Sequence, residues 1–327
     1  MQQLRLMAGS ANRNLAEEVA KRLNVRLTPT DIRRFPDGEI YVRILESVRG
    51  ADVFLIQPTC PDANLNLMEL LITVDALKRS SPQKITAVIP YYGYSRQDRK
   101  NKPREPISAK LVAKMIEAAG VDRVITFDLH VAQVQGFFDI HSDNLDLIPL
   151  YVEHILSRKL RNIVFIAPDV GGASRARAIA NVIHAPIAII DKRRSENSNK
   201  PIIENIIGEV KGKTCIIIDD IIDSGGTITE ASALLRKQGA KDIYVYATHA
   251  VLSGDAAKKL EKSEIKEVVF TDTIKLPGEK QIKKMKIISI APFLAETISR
   301  AHEGTPMGTV YEKLYKKIGK MSKDGRK

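Results

Sequence analysis

Short apolar runs alternate with helix-like segments along most of the chain. The runs that indicate buried strands lie at 53–57, 85–89, 124–127, 163–167, 187–190, 215–218, 243–247, 268–271 and 287–290. Helical patterns fill several of the intervals, at 67–78, 108–119, 173–182 and 229–238. Strands that alternate with helices form parallel sheets with helices on both faces, so the sequence predicts an α/β fold.

The length of 327 residues suits two α/β domains of about 150 residues each. Both halves have the same strand–helix rhythm, and the segment 143–149 is a candidate hinge between them. We expect an N-terminal domain over 1–145, a C-terminal domain over 146–303 and a tail over 304–327. The tail is polar and basic, so we expect it to be frayed, after a helix near 294–301.

The composition and charge limit the classes of protein to which the chain can belong. No apolar run approaches the roughly 20 residues of a membrane span, and the start lacks the apolar core of a signal peptide. The two cysteines are far apart, which favours a reducing, cytoplasmic location. The net charge of +12 comes without tryptophan or a recognition motif, so we expect phosphorylated small substrates rather than nucleic acid.

The segment 215–228 carries the strongest chemical signal. Asp219 and Asp220 follow a short apolar strand, and a helix-like run begins at Ile228. Between them lie Asp223, Ser224, Gly225, Gly226 and Thr227. Glycines and hydroxyls before a helix N-terminus suit a phosphate, whereas paired carboxylates suit sugar hydroxyls or a hydrated Mg²⁺. The segment predicts a sugar-phosphate site; the alternative is an ordinary capped helix start.

Two further segments of the second half carry polar side chains after predicted strands. Asp169 follows a strand and precedes Gly171, Gly172 and a helix, so it should lie beside the sugar site. Arg175 and Arg177, on that helix, are expected to pack or pair there. The segment 191–201 begins with cations and is otherwise polar, which predicts a mobile lid over phosphates. The alternative is a plain basic loop.

The first half offers a candidate metal site. Asp128 and His130 are two residues apart after the strand that ends at Phe127, and residues two apart on a strand point to the same side. Asp139 and Asp143 follow shortly after. Carboxylate and imidazole ligands suit Mg²⁺ or Mn²⁺ held together with substrate phosphates. The alternative for His130 is a hydrogen-bonded structural residue.

Two loops of the first half suit a nucleotide. The loop 91–100 presents Arg96 and Gln97 behind a strand, and guanidinium groups bind phosphate and stack on bases. The turn at 35–39 carries Phe35, Asp37 and Glu39, which can stack on a base and accept from an exocyclic amine. Alone, this turn is a weak signal.

In this order along the chain, the motifs resemble the ribose-phosphate diphosphokinase family. The resemblance runs from about 7 to 303 and includes 35–39, 67–78, 90–99, 128–130, 136–139, 168–172, 191–194 and 219–227. It implies two phosphoribosyltransferase-like domains, each a mostly parallel sheet flanked by helices. It also implies transfer of the diphosphoryl group of Mg-ATP to the anomeric hydroxyl of ribose 5-phosphate, giving phosphoribosyl diphosphate and AMP.

The resemblance also implies roles for individual residues. The 5-phosphate is bound by Arg194, Asp223, Ser224, Gly225, Gly226 and Thr227, and the ribose hydroxyls by Asp219 and Asp220. Lys192 and Arg194 stabilise the transferring group. ATP is bound by Phe35, Asp37, Gly38, Glu39, Arg96 and Gln97, with Asp37 and Glu39 reaching adenine from a neighbouring subunit. Mg²⁺ is served by His130 and Asp169, with Asp128, Asp139 and Asp143 as secondary candidates.

Two other functions share part of this pattern. A base-transferring phosphoribosyltransferase has the acid-rich loop but does not need the motifs around Asp37, Arg96 and His130. A non-catalytic regulatory paralogue of the synthetase would have a damaged lid or sugar loop, and both are intact here. By resemblance we expect a homo-oligomer, a hexamer built from dimers, without nucleic-acid or membrane partners.

Overall fold

The computed structural model describes residues 3–169, 171–194 and 201–324. The chain forms two compact units. Unit 1 comprises Met1–Asp146, Asp272–Lys275 and Ser289–Val310, and unit 2 comprises Leu147–Thr271, Leu276–Ile288 and Tyr311–Lys327. Both units are discontinuous in sequence, whereas the sequence predicts consecutive domains.

Unit 1 is built on a five-stranded sheet. Its elements up to residue 146 are β1 (Leu4–Ala8), α1 (Arg13–Leu23), β2 (Thr30–Arg34), β3 (Ile40–Ile44), β4 (Asp52–Ile56), α2 (Ala63–Arg79), β5 (Lys84–Ile89), α3 (Ser108–Ala119), β6 (Arg123–Phe127) and β7 (His141–Leu145). The sheet order is β1-β4-β5-β6-β7, with every pair parallel, and β2 and β3 form a separate antiparallel hairpin.

Burial explains why the strands of this sheet read as continuous apolar runs. All five residues of β4 are buried, because helices cover a parallel sheet on both faces. On one face, Val53 and Leu55 pack in a core with Leu70 of α2 and Val112 of α3. The four consecutive parallel strands β4 to β7 turn their carboxyl ends to one edge of the sheet.

Unit 2 is built on a seven-stranded sheet. Its elements are α4 (Ile148–Ser157), β8 (Ile163–Ala167), α5 (Ala173–Ile183), β9 (Ile187–Arg194), β10 (Pro201–Ile207), β11 (Thr214–Ile222), α6 (Gly226–Lys237), β12 (Asp242–Ala250), α7 (Ala256–Lys262), β13 (Glu267–Thr271) and β14 (Met285–Ile288). The sheet order is β10-β9-β8-β11-β12-β13-β14, and β9 and β10 form its antiparallel pair.

Two later segments complete unit 1 through buried polar contacts. The helix α8 (Ala291–Glu303) packs on α1. At its start, the N–H of Ile290 donates to Oδ1 of Asp272 at 2.7 Å, and the side-chain amide of Asn12 donates to the carbonyl of Asp272 at 2.7 Å. At its end, Nδ1 of His302 lies 2.9 Å from Oδ2 of Asp52 at the start of β4. These contacts tie residues far apart in sequence to one unit.

Most of the basic tail after residue 304 is a helix that the sequence did not predict, and the fraying expected at its end falls on residues 325–327, outside the described part of the chain. The helix α9 covers Gly308–Asp324. Val310 and Ile318 are buried, and Leu314 between them is partly covered, which is the spacing of one helix face. Lys317 pairs with Glu153 of α4 at 2.6 Å. Within the described residues, no helix is both long enough and apolar enough to cross a membrane.

The candidate hinge at 143–149 contains the division between the two units, after Asp146, and only residues 146 and 147 lie outside regular structure. β7 extends to Leu145 and pairs with β6, and α4 begins at Ile148 with Pro149 in its first turn. Proline suits this position because the first N–H groups of a helix have no partner within it. The apolar pattern of the sequence did not predict β7, because this edge strand carries polar side chains.

The contact between His302 and Asp52 gives a stability prediction. Asp52 is 3% exposed. Replacing His302 with alanine removes its hydrogen bond to this buried carboxylate, and we expect a loss of about 1–3 kcal/mol in the free energy of unfolding. Thermal unfolding would measure the loss, with Arg79→Ala in the exposed pair with Asp75 as a control of little effect.

The double variant with Asp52→Asn tests the mechanism of that loss. His302→Ala should cost less when position 52 no longer carries a charge, since residues in contact have non-additive effects. Equal costs in both backgrounds would show that the pair does not stabilise unit 1 in this way.

Candidate active site

The candidate site of unit 2 lies where the strand order of the sheet reverses. After β8, the chain forms β9 and β10 on one side of β8. The next strand, β11, then pairs with the other side of β8. β8 runs parallel to both neighbours, with Ala167 opposite Ile189 and Ile166 opposite Ile217. Ligands of open α/β sheets bind beyond the carboxyl ends of the strands at such a switch point.

The two neighbours of β8 project past its end. β8 ends at Ala167, whereas β9 continues to Arg194 and β11 continues to Ile222. The prediction that the apolar strand stops at Ile218 is therefore wrong, and Asp219 and Asp220 lie within β11. Backbone pairing with β12 explains the extension, because Asp219 pairs with Ala247 and Ile222 with Ala250.

Asp219 and Asp220 form a linked acidic pair with an arginine. The N–H of Asp220 donates to Oδ1 of Asp219 at 2.9 Å. Nη1 of Arg175 lies 2.9 Å from Oδ1 of Asp220 and 3.8 Å from Oδ1 of Asp219. The Asp219 side chain is 20% exposed and the Asp220 side chain 6% exposed, so Asp219 is the more accessible carboxylate.

The surroundings of Asp219 oppose its ionisation. Burial raises the pKa of Asp219 well above the ordinary value of an aspartate, and the carboxylate of Asp220 raises it further. The Arg175 guanidinium acts in the opposite direction on the same pKa. Ionising Asp219 thus costs folding free energy, which is a common property of ligand-binding acids.

The glycine loop after β11 has the geometry of an anion site. Gly225 has φ 74°, the left-handed conformation, and directly precedes the first residue of α6, Gly226. A Cβ at Gly225 would meet the Ala256 carbonyl oxygen at 3.5 Å. Ser224 and Thr227 are exposed beside this helix start. Backbone N–H groups and the helix dipole at such a start favour a phosphate.

Two hydrogen bonds hold this loop in place. The N–H of Ser253 donates to the carbonyl of Asp223 at 3.0 Å. The Thr229 hydroxyl donates to the carbonyl of Gly225 at 3.0 Å. These contacts connect the loop to the turn after β12 and to the first turn of α6.

Asp169 lies at the same edge of the sheet. It is exposed, and its Oδ1 accepts from the N–H of Gly172 at 2.8 Å at the start of α5. Asp169 follows the end of β8, and β8 pairs with β11, the strand that carries Asp219. Unit 2 thus gathers Asp169, Asp219, Asp220 and the loop 223–227 at one switch point.

Lys192 and Arg194 lie on the projecting end of β9, paired with Ile203 and Pro201 of β10. Their side chains, and all of 195–200, lie outside the described part of the structure. The lid predicted for 191–201 is therefore a strand on either side of that gap, and its mobility stays a prediction.

In unit 1, the predicted nucleotide loop follows β5 and is fixed by neighbouring elements. The N–H of Gly93 donates to the Thr59 hydroxyl at 2.6 Å, and a Cβ at Gly93 would lie 2.8 Å from that oxygen. Gln97 is exposed, but its Oε1 accepts from the Ser108 hydroxyl at 2.6 Å at the start of α3. Arg96 is exposed beside it.

The predicted adenine turn is the tip of the β2–β3 hairpin. Phe35 is 44% exposed and its ring meets that of Tyr41 edge-on, with 5.9 Å between centroids. Gly38 has φ 98°, and the N–H of Glu39 donates to Oδ1 of Asp37 at 3.1 Å. The tip presents an aromatic ring and two exposed acids outside the main sheet.

The candidate metal ligands of unit 1 do not form one cluster. β6 ends at Phe127, and Asp128 has φ 38°, so the alternation of a strand does not apply to Asp128 and His130. Asp139 pairs with Lys114 at 2.5 Å and Asp143 with Arg123 at 2.7 Å.

His130 is exposed after β6. Among the residues that the structure describes, no group of three or more His, Cys, Asp or Glu side chains could hold a metal ion.

Arg175 is the functional candidate that the sequence did not reveal. It is the third residue of α5, on the helix that follows β8, and only the adjacency of β8 and β11 brings it to Asp220. A basic residue in the first turn of a helix interacts unfavourably with the helix dipole. This is the one feature of the sequence that could have indicated a specific partner for Arg175.

Comparison with known proteins agrees with this architecture. The pattern described as the N-terminal domain of ribose phosphate pyrophosphokinase matches residues 4–120, and that of the phosphoribosyl synthetase-associated domain matches 192–312. The phosphoribosylpyrophosphate synthetase from Mycobacterium smegmatis aligns with a TM-score of 0.88 and 44% identity, over 93% of this chain and 100% of that chain. The fold is therefore α/β with phosphoribosyltransferase-like domains.

Curated relatives specify the family. A ribose-phosphate pyrophosphokinase of Caldanaerobacter subterraneus subsp. tengcongensis is 52% identical over 309 residues, which cover 94% of this chain and 98% of the relative. That of Bacillus caldolyticus is 50% identical over 310 residues, covering 95% and 98%. The chain belongs to the ribose-phosphate pyrophosphokinase family and is an enzyme of that family.

The raised pKa of Asp219 gives a prediction for stability against pH. Below the ordinary aspartate pKa, the group is protonated in both folded and unfolded chains and costs nothing. As the pH rises from there toward the raised pKa, the carboxyl ionises in the unfolded chain while it stays protonated in the folded one, so stability falls until the pH passes the raised pKa. Asp219→Asn removes this charge and keeps an acceptor for the N–H of Asp220, so we expect a higher unfolding midpoint at neutral pH.

Thermal unfolding at several pH values would measure this effect. The advantage of Asp219→Asn should shrink toward pH 4, where the wild-type carboxyl is neutral. Asp255→Asn, at an exposed aspartate paired with Lys259, is the control and should bring no gain at any pH. Parallel curves for wild type and Asp219→Asn would contradict the raised pKa.

Proposed function

We propose that the enzyme transfers the diphosphoryl group of Mg-ATP to the anomeric hydroxyl of ribose 5-phosphate. The anomeric oxygen attacks the β-phosphorus and the bond to the oxygen bridging the α- and β-phosphorus breaks. That oxygen leaves with AMP, and the hydroxyl proton passes to solvent. The products are 5-phosphoribosyl 1-diphosphate, a precursor for nucleotide biosynthesis, and AMP.

The observation that carries this proposal is one edge of the unit 2 sheet that offers both halves of a sugar-phosphate site. The loop 223–227 at the start of α6 suits the 5-phosphate, and Asp219 and Asp220 suit the ribose hydroxyls. Binding both ends of the sugar fixes the direction of the anomeric hydroxyl. Phosphoryl-type transfer depends mainly on such positioning and on charge neutralisation.

Cations would stabilise the transferring group. We assign Lys192 and Arg194 to this role because β9 projects past the end of β8 beside the sugar site, and Arg194 also to the 5-phosphate. Arg96 and Gln97 would bind ATP. Phe35, Asp37, Gly38 and Glu39 would also bind ATP, with Asp37 and Glu39 reaching adenine from a neighbouring subunit of a homo-oligomer that we propose to be a hexamer built from dimers.

Mg²⁺ fits the donors that the chain offers. By the family resemblance, His130 in unit 1 and Asp169 in unit 2 are each assigned to Mg²⁺ binding, and each is exposed after a parallel strand. A hydrated Mg²⁺ takes only one or two carboxylates from a protein and the remaining ligands from water and substrate phosphates. When bound, it would neutralise charge on the triphosphate. Asp139 and Asp143 are left out of this proposal because they pair with Lys114 and Arg123.

Incubation with ATP, MgCl₂ and ribose 5-phosphate tests the reaction. We expect AMP and phosphoribosyl diphosphate in equal amounts by ion-exchange chromatography, and none when EDTA is in excess. A base-transferring phosphoribosyltransferase would form no AMP from this mixture, and a non-catalytic paralogue would form no product.

Lys192→Ala should lower kcat by roughly 10²–10³-fold, the usual effect of removing one donor to a transition state. The KM for ribose 5-phosphate should barely change, because the loop 223–227 is untouched. Lys241→Ala, at an exposed lysine of the same unit, is the control. A kcat near that of wild type would remove Lys192 from the mechanism.

Mixed oligomers test the shared adenine site. Chains with Asp37→Ala and chains with Lys192→Ala should each be nearly inactive alone. Co-assembly should restore part of the activity, because some sites then combine two intact halves. The absence of rescue in mixed oligomers verified by mass would contradict a site shared between subunits.

A further inference from the structure

Arg175 links the two strands that meet at the switch point. It extends from α5, which follows β8, to the acidic pair on β11. Its Nη1 lies within direct hydrogen-bond distance of Asp220, at 2.9 Å, but is 3.8 Å from Asp219. The guanidinium therefore bonds to one carboxylate and lies close to the other.

The two carboxylates differ in what surrounds them. Asp220 is the more buried, at 6% exposure against 20% for Asp219. A buried carboxylate requires a partner, which Arg175 supplies. Asp220 in turn donates its backbone N–H to Asp219 at 2.9 Å. Contacts thus run in series from Arg175 through Asp220 to Asp219.

We propose that Arg175 is a positioning residue for sugar recognition: it fixes Asp220, and Asp220 fixes Asp219, which accepts hydrogen bonds from the vicinal hydroxyls of ribose 5-phosphate. The inference rests on the proposed function. It adds that the two aspartates have different roles. Asp219 faces the sugar, and Arg175 and Asp220 support it.

The electrostatics of the pair agree with this order. Burial and the neighbouring charge raise the pKa of Asp219, and Arg175 lowers it. An ionised carboxylate accepts hydrogen bonds with both oxygens, whereas a protonated one must also place a donor. Loss of the guanidinium would therefore weaken Asp219 as an acceptor as well as displace it.

Direct binding of ribose 5-phosphate by calorimetry tests the proposal without relying on turnover. Arg175→Gln should weaken binding by about ten- to a hundredfold, the effect of losing one hydrogen bond to a charged group. Arg177→Gln is the matched control, because Arg177 is an exposed arginine on the same helix. It should stay within about twofold of wild type, and both variants should bind ATP normally.

A substrate lacking one hydroxyl separates positioning from a general disturbance. With 2-deoxyribose 5-phosphate, part of what Asp219 would bind is absent, so the loss caused by Arg175→Gln should shrink several-fold. An equal loss on both sugars would overturn the proposal, since it would place the effect at the phosphate or in the fold. Unchanged binding of ribose 5-phosphate by Arg175→Gln would also overturn it.

Two further variants keep the test valid if Arg175→Gln folds poorly. Arg175→Lys keeps the charge and should bind ribose 5-phosphate more tightly than Arg175→Gln. The double variant Arg175→Gln, Asp220→Asn removes both members of the ion pair and should fold. Relative to wild type, its loss of affinity should be smaller for 2-deoxyribose 5-phosphate than for ribose 5-phosphate. The opposite result with either variant overturns the proposal. If wild type bound no ribose 5-phosphate, the proposed function would fail and this inference with it.

Discussion

The parallel pairing of β8 with β11 is the contact on which the candidate site depends. It joins strands separated by β9, β10 and α5 in the chain, and it places the ends of both beside each other. Without it, Asp169 and the loop 223–227 would be unrelated turns. The core beneath, with Val164 and Ile217 fully buried, holds this pairing rigid. The hydrophobic effect thus determines where the polar chemistry can be assembled.

Folding stability and ligand binding oppose each other at this edge. Two adjacent aspartates are held in a poorly hydrated place, and Arg175 compensates for only part of their charge. Proteins commonly keep such unfavourable groups where a ligand will use them. The rest of the unit offsets this cost with its apolar core.

Much of the fold was predictable from the sequence because strands that are buried on both faces are continuous runs of apolar residues. The predicted strand at 163–167 is β8 and the predicted helix at 108–119 is α3, without any difference in bounds. β7 was missed because an edge strand carries polar residues, and α9 because lysines outnumber its buried Val310 and Ile318. The continuation of β11 through Asp219 and Asp220 was missed because carboxylates disfavour strands by propensity.

The sequence by itself determined the family, the acid-rich loop and the residues able to bind a sugar phosphate, since these depend on residue type and order. The tertiary structure decided the assignment of residues 272–275 and 289–310 to unit 1, the ion pairs of Asp139 and Asp143, and the approach of Arg175 to Asp220. The physical reason is that these contacts join positions tens to hundreds of residues apart. The local propensity of residues for helix or strand does not indicate these contacts. Only the packing of strands and helices brings the residues within hydrogen-bond distance.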